Sequence, residues 1–302
     1  MIDHLIDWSL LLGRWIHITT AVCWIGTSIF FMWMDRSFVK NQDNNREGHV
    51  GDLWMVHGGG FYKVEKMLMG PTEVPKVLHW FKWEAYWTWL SGMFLLIMMF
   101  YIDGGEQLVD PDLWEITGTQ AIFWGLGSIL VSWVFYDLLW ESPLAEKSGV
   151  AHTLTILYAA GMIYLLCHTM FHRIAFIHVA AILGTWMVGN VLLRIIPRMK
   201  QMVEMSKKGE AIDPKWAINA KNRSTHNTYF TLPIIFIMFT NHFPNIYAHE
   251  HNWLLLILMT MAGASVRHYF VIREKDDMKA KIFAAIGILL IIGTIAASYE
   301  LA

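Results

Sequence analysis

An all-α, polytopic membrane protein of eight transmembrane helices is the architecture this chain predicts, on three observations. Of its 302 residues 55% are hydrophobic and only 16% are charged. The apolar residues gather in runs of about 20, the length of helix that crosses a bilayer core. Every Lys and Arg except Arg14 and Arg173 falls in or beside alternate connections between those runs.

Taken in order, the spans are 9–33, 80–102, 118–140, 150–170, 173–196, 229–244, 252–270 and 280–299. The first lacks a basic leader and a small-residue cleavage motif, and Asp3 and Asp7 precede it, so an uncleaved helix is expected. A long connection, 36–79, follows. It carries Arg36, Lys40, Arg46, Lys63, Lys66 and Lys76, the run Val56-His57-Gly58-Gly59-Gly60-Phe61-Tyr62, and Pro71 and Pro75. Helix two opens on Lys82-Trp83-Glu84 and Tyr86-Trp87-Thr88-Trp89. Helices three and four flank Lys147, and helix five begins at Arg173. A second long connection, 197–226, is mixed in charge and ends Asn222-Arg223-Ser224-Thr225-His226. Helix seven closes on Arg267-His268-Tyr269, and helix eight follows more basic residues. Basic residues stay on the cytoplasmic side of a membrane, so both termini are expected outside. The whole of 1–302 reads as one integral membrane domain whose first partner is the lipid bilayer.

Helices one and five run the same way in this scheme and resemble each other. Trp15-Ile-His17-Ile-Thr-Thr-Ala21 compares with Phe176-Ile-His178-Val-Ala-Ala-Ile182, and Trp24 and Trp186 follow. A weak 4+4 parallel repeat is the corresponding expectation. Net charge is −2, which excludes the basic footprint of a nucleic-acid binder. The two cysteines, Cys23 and Cys167, fall within spans and read as packing residues, and there is no Cys-x-x-Cys-His motif for covalent haem.

Ionisable groups inside a membrane are costly and mark functional sites. His17 and His178 are placed at matching depth, each following an arginine, Arg14 and Arg173. Neutral imidazole ligates haem iron, and guanidinium suits a propionate. His17 and His178 are therefore expected to be axial ligands of a haem b, with Arg14 and Arg173 on its propionates. His168, His172 and His242 lie nearer the outer surface and read as interfacial.

A second polar group is expected at the cytoplasmic ends. Glu84, His57 or His226 could take a proton or activate water. Lys82 or Arg267 could hold an anion, with His268 and Trp87 completing a heterocycle site; His79 and His152 lie at similar depth. Glycines 58–60 would let backbone approach the ligand.

Across nearly the whole chain these motifs resemble the membrane domain of the PuuD-type, cytochrome c-linked urate hydroxylases. The similarity is carried by Arg14-Trp-Ile-His17, Cys23-Trp-Ile-Gly26, Val56-His-Gly-Gly-Gly-Phe-Tyr62, Lys82-Trp-Glu84, Trp87-Thr-Trp89, Asn222-Arg-Ser-Thr-His226, Asn241-His-Phe-Pro244 and Arg267-His268-Tyr269. The first helix is also similar to the haem-binding helix of HemJ-type protoporphyrinogen oxidases. The main resemblance implies oxidation of urate to 5-hydroxyisourate in a bacterial inner membrane, with electrons leaving to cytochrome c. Typical members carry a C-terminal cytochrome c domain; the sequence reaches Ala302 before one, so a separate periplasmic cytochrome c is expected as acceptor. A homo-oligomer is compatible with the sequence. Two other readings stay open: a cytochrome b-type conduit for quinol or another reductant, and a purine or metal transporter with histidines along its path.

Overall fold

The computed structural model describes residues 1–40, 46, 48–67, 74–273 and 276–300. Pro71 of the first long connection and Lys275 of the last lie outside the described residues. Long helices dominate: α1 (Ile2–Arg36), α2 (Trp83–Phe100), α3 (Gly118–Glu141), α4 (Ser148–Cys167), α5 (His172–Gly189), α6 (Ile196–Lys208), α7 (Pro214–Thr240), a short α8 (Pro244–Tyr247), α9 (Asn252–Ile272) and α10 (Asp277–Glu300). Among the described residues six helical stretches are long and apolar enough to cross a membrane. Trp83–Phe100 and Pro214–Thr240 are not among them. Aromatic and polar residues fill the first turns of α2, and the first half of α7 is Lys/Asn/Arg-rich.

Two expectations are corrected here. The chain is not wholly α: part of 36–79 forms an antiparallel hairpin, β1 (His49–His57) with β2 (Gly60–Met67). Leu53, Trp54, Met55 and Val56 face Val64, Lys63, Tyr62 and Phe61 across it, residue types that suit a pleated surface. Gly58 and Gly59 take φ of 58° and 80°, the double positive φ of a two-residue type I′ turn. Backbone geometry therefore explains these glycines, and His57 stands exposed at the hairpin tip.

The second correction concerns 197–226, which is largely helical. α5 continues through a π-helical turn, Asn190–Ile195, into α6. Pro197 lacks the N–H that an α-helical bond needs, and the wider i→i+5 pattern absorbs that loss. Gly209, at φ 69°, stops α6. Asp213 then caps α7 by accepting from the Lys215 N–H, and Pro214 sits in the first turn.

α5 is the centre of the bundle, packed by α2, α3, α4 and α7, with α9 against α4 and α7. Its Phe176, His178 and Trp186 are fully buried, together with Leu166, Ile237 and Leu256 from neighbouring helices. α1 lies at the edge: it packs on α2 through Gly13, where a Cβ would stand 2.9 Å from the Phe94 ring, and Gly13 is its one buried residue. Helices one and five thus have unlike surroundings, which a pseudo-two-fold between them would not give.

Candidate functional site

Two polar groups lie within the bundle. The one that the sequence expectation puts on the outer side contains His17 and His178. His178 donates from Nδ1 to the Ile174 carbonyl (2.9 Å), and its Nε2 accepts from the Tyr101 hydroxyl (2.6 Å). His17 donates from Nδ1 to the Thr88 carbonyl (2.9 Å), with Ser91 Oγ at 3.2 Å. Carbonyls only accept, so both rings carry the proton on Nδ1 and present a bare Nε2. That is the tautomer an iron ligand needs.

The two rings have different neighbours on α2. His17 packs on α2 at Gly92, where a Cβ would lie 2.9 Å from its Cε1, whereas His178 meets Tyr101 at the far end of α2. Those positions differ by nine residues, ~13.5 Å of helix rise, so the two rings meet α2 at different levels. Gly125 of α3 closes on the second pair: a Cβ there would lie 2.6 Å from both His178 Nε2 and Tyr101 Oη. Neither outer arginine has a carboxylate partner among the described residues. Arg14 reaches only Met99 Sδ at 3.6 Å, and Arg173 Nε is buried without a partner. The donor set thus suits a haem in its chemistry and its free cations, and ligation by His178 would require Tyr101 to release Nε2.

The inner group spans α3, α4, α5, α7 and α9. Arg223, 1% exposed, bonds Asp137 Oδ1 (3.1 Å) and Glu141 Oε1 (2.7 Å). Arg194 pairs bidentately with Asp137, and Arg198 meets Glu141 at 2.7 Å. From this hub a chain of neutral groups runs inward. Arg223 donates to Asn190 Oδ1 (3.2 Å), and Asn190 Nδ2 donates to the Tyr136 hydroxyl (2.9 Å) and to Asn227 Oδ1 (2.8 Å). Tyr136 Oη lies 2.9 Å from His226 Nδ1, and its ring stacks on Trp186 at 4.6 Å. Beyond His226 come Trp140, at 4.1 Å between ring centroids, and His152, at 5.7 Å.

Closer to α9, Tyr229 Oη and His268 Nδ1 are 2.6 Å apart. Arg267 is 7% exposed, and its Nε and Nη2 have no hydrogen-bond partner. Tyr229 and Arg36 lie within its electrostatic reach, and His152 within that of both His226 and His268. The fold therefore gathers His226, Arg267 and His268 at one end of the bundle. No hydrogen bond or ring contact joins Lys82, Glu84 or Trp87 to this group among the described residues. Lys82 lies over the Trp83 ring at 5.1 Å, Trp87 is 53% exposed, and Glu84 shows only a backbone bond to Thr88. A cleft of about 690 Å³ between Val74–Trp80 and α6, with Lys76, Lys200, Glu204 and Lys207 on its walls, involves none of these groups.

Sequence reading passed over Tyr136, Asp137, Glu141, Asn190 and Arg194, and read Arg223 only as part of the Asn222–His226 motif. A signal existed: Asp137 and Glu141, and Trp186, Asn190 and Arg194, recur every four residues, which places each set on one helix face. No group of His, Cys, Asp or Glu able to hold a metal ion occurs among the described residues. No curated protein and no solved structure matches the chain. The family model described as "Urate oxidase N-terminal" matches residues 3–298. By that match over nearly its whole length, the chain belongs to the urate oxidase N-terminal family.

Proposed function

We propose that this protein oxidises urate to 5-hydroxyisourate at the inner polar group, on the cytoplasmic side of a bacterial inner membrane. The observation that carries this reading is Arg267, a buried guanidinium with unsatisfied donors beside Tyr229, in a chain of the urate oxidase N-terminal family. A guanidinium presents paired N–H donors to a planar anion, and urate is one at neutral pH. His226 and His268 stand nearby to move protons. Among the proton-transfer candidates we favour His226, whose hydrogen bond to Tyr136 and ring contacts with Trp140 and His152 support the reading.

The reaction adds water to the purine and releases two protons and two electrons. In this proposal a haem b, held by His17 and His178 with Arg14 and Arg173 toward its propionates, supplies an electron-accepting centre when bound. A separate periplasmic cytochrome c takes the electrons. The Nδ1-protonated histidines and the two arginines without carboxylate partners support that assignment.

The test uses purified full-length protein in nanodiscs, with urate and a soluble electron acceptor. Urate-dependent reduction of the acceptor with formation of 5-hydroxyisourate is expected, together with a Soret band that His17→Ala or His178→Ala removes. Reduction by quinol but not by urate would select an electron conduit instead. Absence of a Soret band would remove the haem from the scheme.

A further inference from the structure

We propose that His152 is a further catalytic residue of this site: its bare Nε2 takes the proton that a bound purine gives up, and His226 donates from Nε2. The assignment rests on the urate reading above, but its tautomers follow from the hydrogen-bond network alone.

Arg223 carries only donors, so the atom of Asn190 that faces it must be Oδ1. The Asn190 amide then points Nδ2 at Tyr136 and Asn227. Asn227 is fixed independently, because its own Nδ2 donates to the Met187 carbonyl (3.0 Å), which leaves Oδ1 for Asn190. The Tyr136 hydroxyl thus receives a hydrogen from Asn190 and has its own to give. Tyr136 is 1% exposed, and a buried hydroxyl hydrogen without an acceptor is costly. The available acceptor is His226 Nδ1 at 2.9 Å. His226 must then carry its proton on Nε2.

His152 is set the opposite way. Its Nδ1 lies 2.6 Å from the Ser148 carbonyl, to which it can only donate, so in the neutral ring Nε2 is bare. Two imidazoles whose centroids are 5.7 Å apart therefore present one donor and one acceptor. Urate carries both matching functions, with ring N–H groups beside carbonyl oxygens. The step moves one proton: a ring N–H bond breaks, its electron pair stays on the nitrogen, and the proton joins His152 Nε2. The resulting imidazolium keeps its Nδ1–H on Ser148. Arg223 and His268 are the other charged or titratable groups electrostatically coupled to this pair.

The first experiment is ¹⁵N-histidine NMR of the full-length protein in nanodiscs at neutral pH, assigned with His152→Ala and His226→Ala. His226 should be protonated on Nε2 and His152 on Nδ1; the reverse form at either ring overturns the proposal. Tyr136→Phe should leave His226 in a mixture of tautomers. The second measures turnover. His152→Ala, a change at an exposed position, should lower kcat for urate by ~10²–10⁴-fold, the usual span for a lost general base. KM should change little, and added imidazole should restore part of the rate. Turnover within twofold of the wild type would overturn His152 as the base while leaving the urate reading intact. A wild type that does not oxidise urate at all would overturn that reading, and His152's catalytic role with it.

Discussion

A guanidinium held in the bundle without partners is a standing cost, and Arg267 retains two such donors, Nε and Nη2. Leaving buried polar groups unsatisfied costs ~1–3 kcal/mol, and sites kept for binding carry this kind of penalty. Contrast Arg223, more deeply buried but bonded to Asp137, Glu141 and Asn190. In the proposed function the first takes an anion, whereas the second is neutralised within the fold. Arg267→Met should therefore raise the melting temperature of the ligand-free protein by a few degrees. It should also abolish the stabilisation that saturating urate gives the wild type, which ligand binding to the folded state alone requires. Thermal unfolding with and without urate reads both effects. A variant that melts lower and still responds to urate would show that Arg267 is structural.

At the scale of elements, close helix contacts depend on a few glycines and on one irregular turn. Gly125 lets α3 approach the Tyr101–His178 pair, whereas Gly184 on α5 has open space where a Cβ would stand. Gly125→Ala should break that pair and destabilise by ~1–3 kcal/mol, the usual cost of overpacking. Gly184→Ala should stabilise by ~0.5–1 kcal/mol, because alanine loses less entropy in a helix. Equal melting temperatures for the two variants would refute this contrast. The π turn at Asn190–Ile195 is a different device: it carries Arg194 to Asp137, while Asn190, the first residue of the turn, meets Tyr136. Nothing in the residue pattern announces a widened turn except Pro197, so the network that Asn190 makes between α3, α5 and α7 was legible only through the four-residue spacing of its members. The hairpin was similarly hidden. Gly58-Gly59-Gly60 is as suited to cradling a ligand as to turning a chain. Outside the bundle, Lys63 bonds Glu65 at 2.8 Å and holds that carboxyl below its usual pKa.

For the whole molecule, what was legible followed from transfer energetics: long apolar runs had to be helices, because a bilayer leaves backbone groups no other partner. Which helix is central was not legible, since α1 and α5 are similarly apolar and similarly marked by an Arg and a His. Only packing separates them, with α5 buried and α1 at the edge. The lipid-facing surfaces of α1 and α10 are rich in exposed Leu, Ile and Trp such as Trp15, Leu289 and Ile295, as expected where the solvent is hydrocarbon. If each long helix crosses once, the hairpin after α1 and the turn after α2 lie on opposite sides whatever the absolute orientation. The distribution of Lys and Arg gives the orientation to be tested: hairpin inside, turn outside. Single cysteines at Phe61 of the hairpin and Asp103 of the turn, both exposed, test it in a background where Cys23, the exposed cysteine, is replaced by serine. A membrane-impermeant maleimide applied to spheroplasts should label Asp103→Cys and spare Phe61→Cys until the membrane is opened. Labelling of Phe61→Cys in intact spheroplasts would invert the topology. It would also place Arg267 and the histidine pair on the side that faces a periplasmic cytochrome, which removes the need for electrons to cross the bilayer at all.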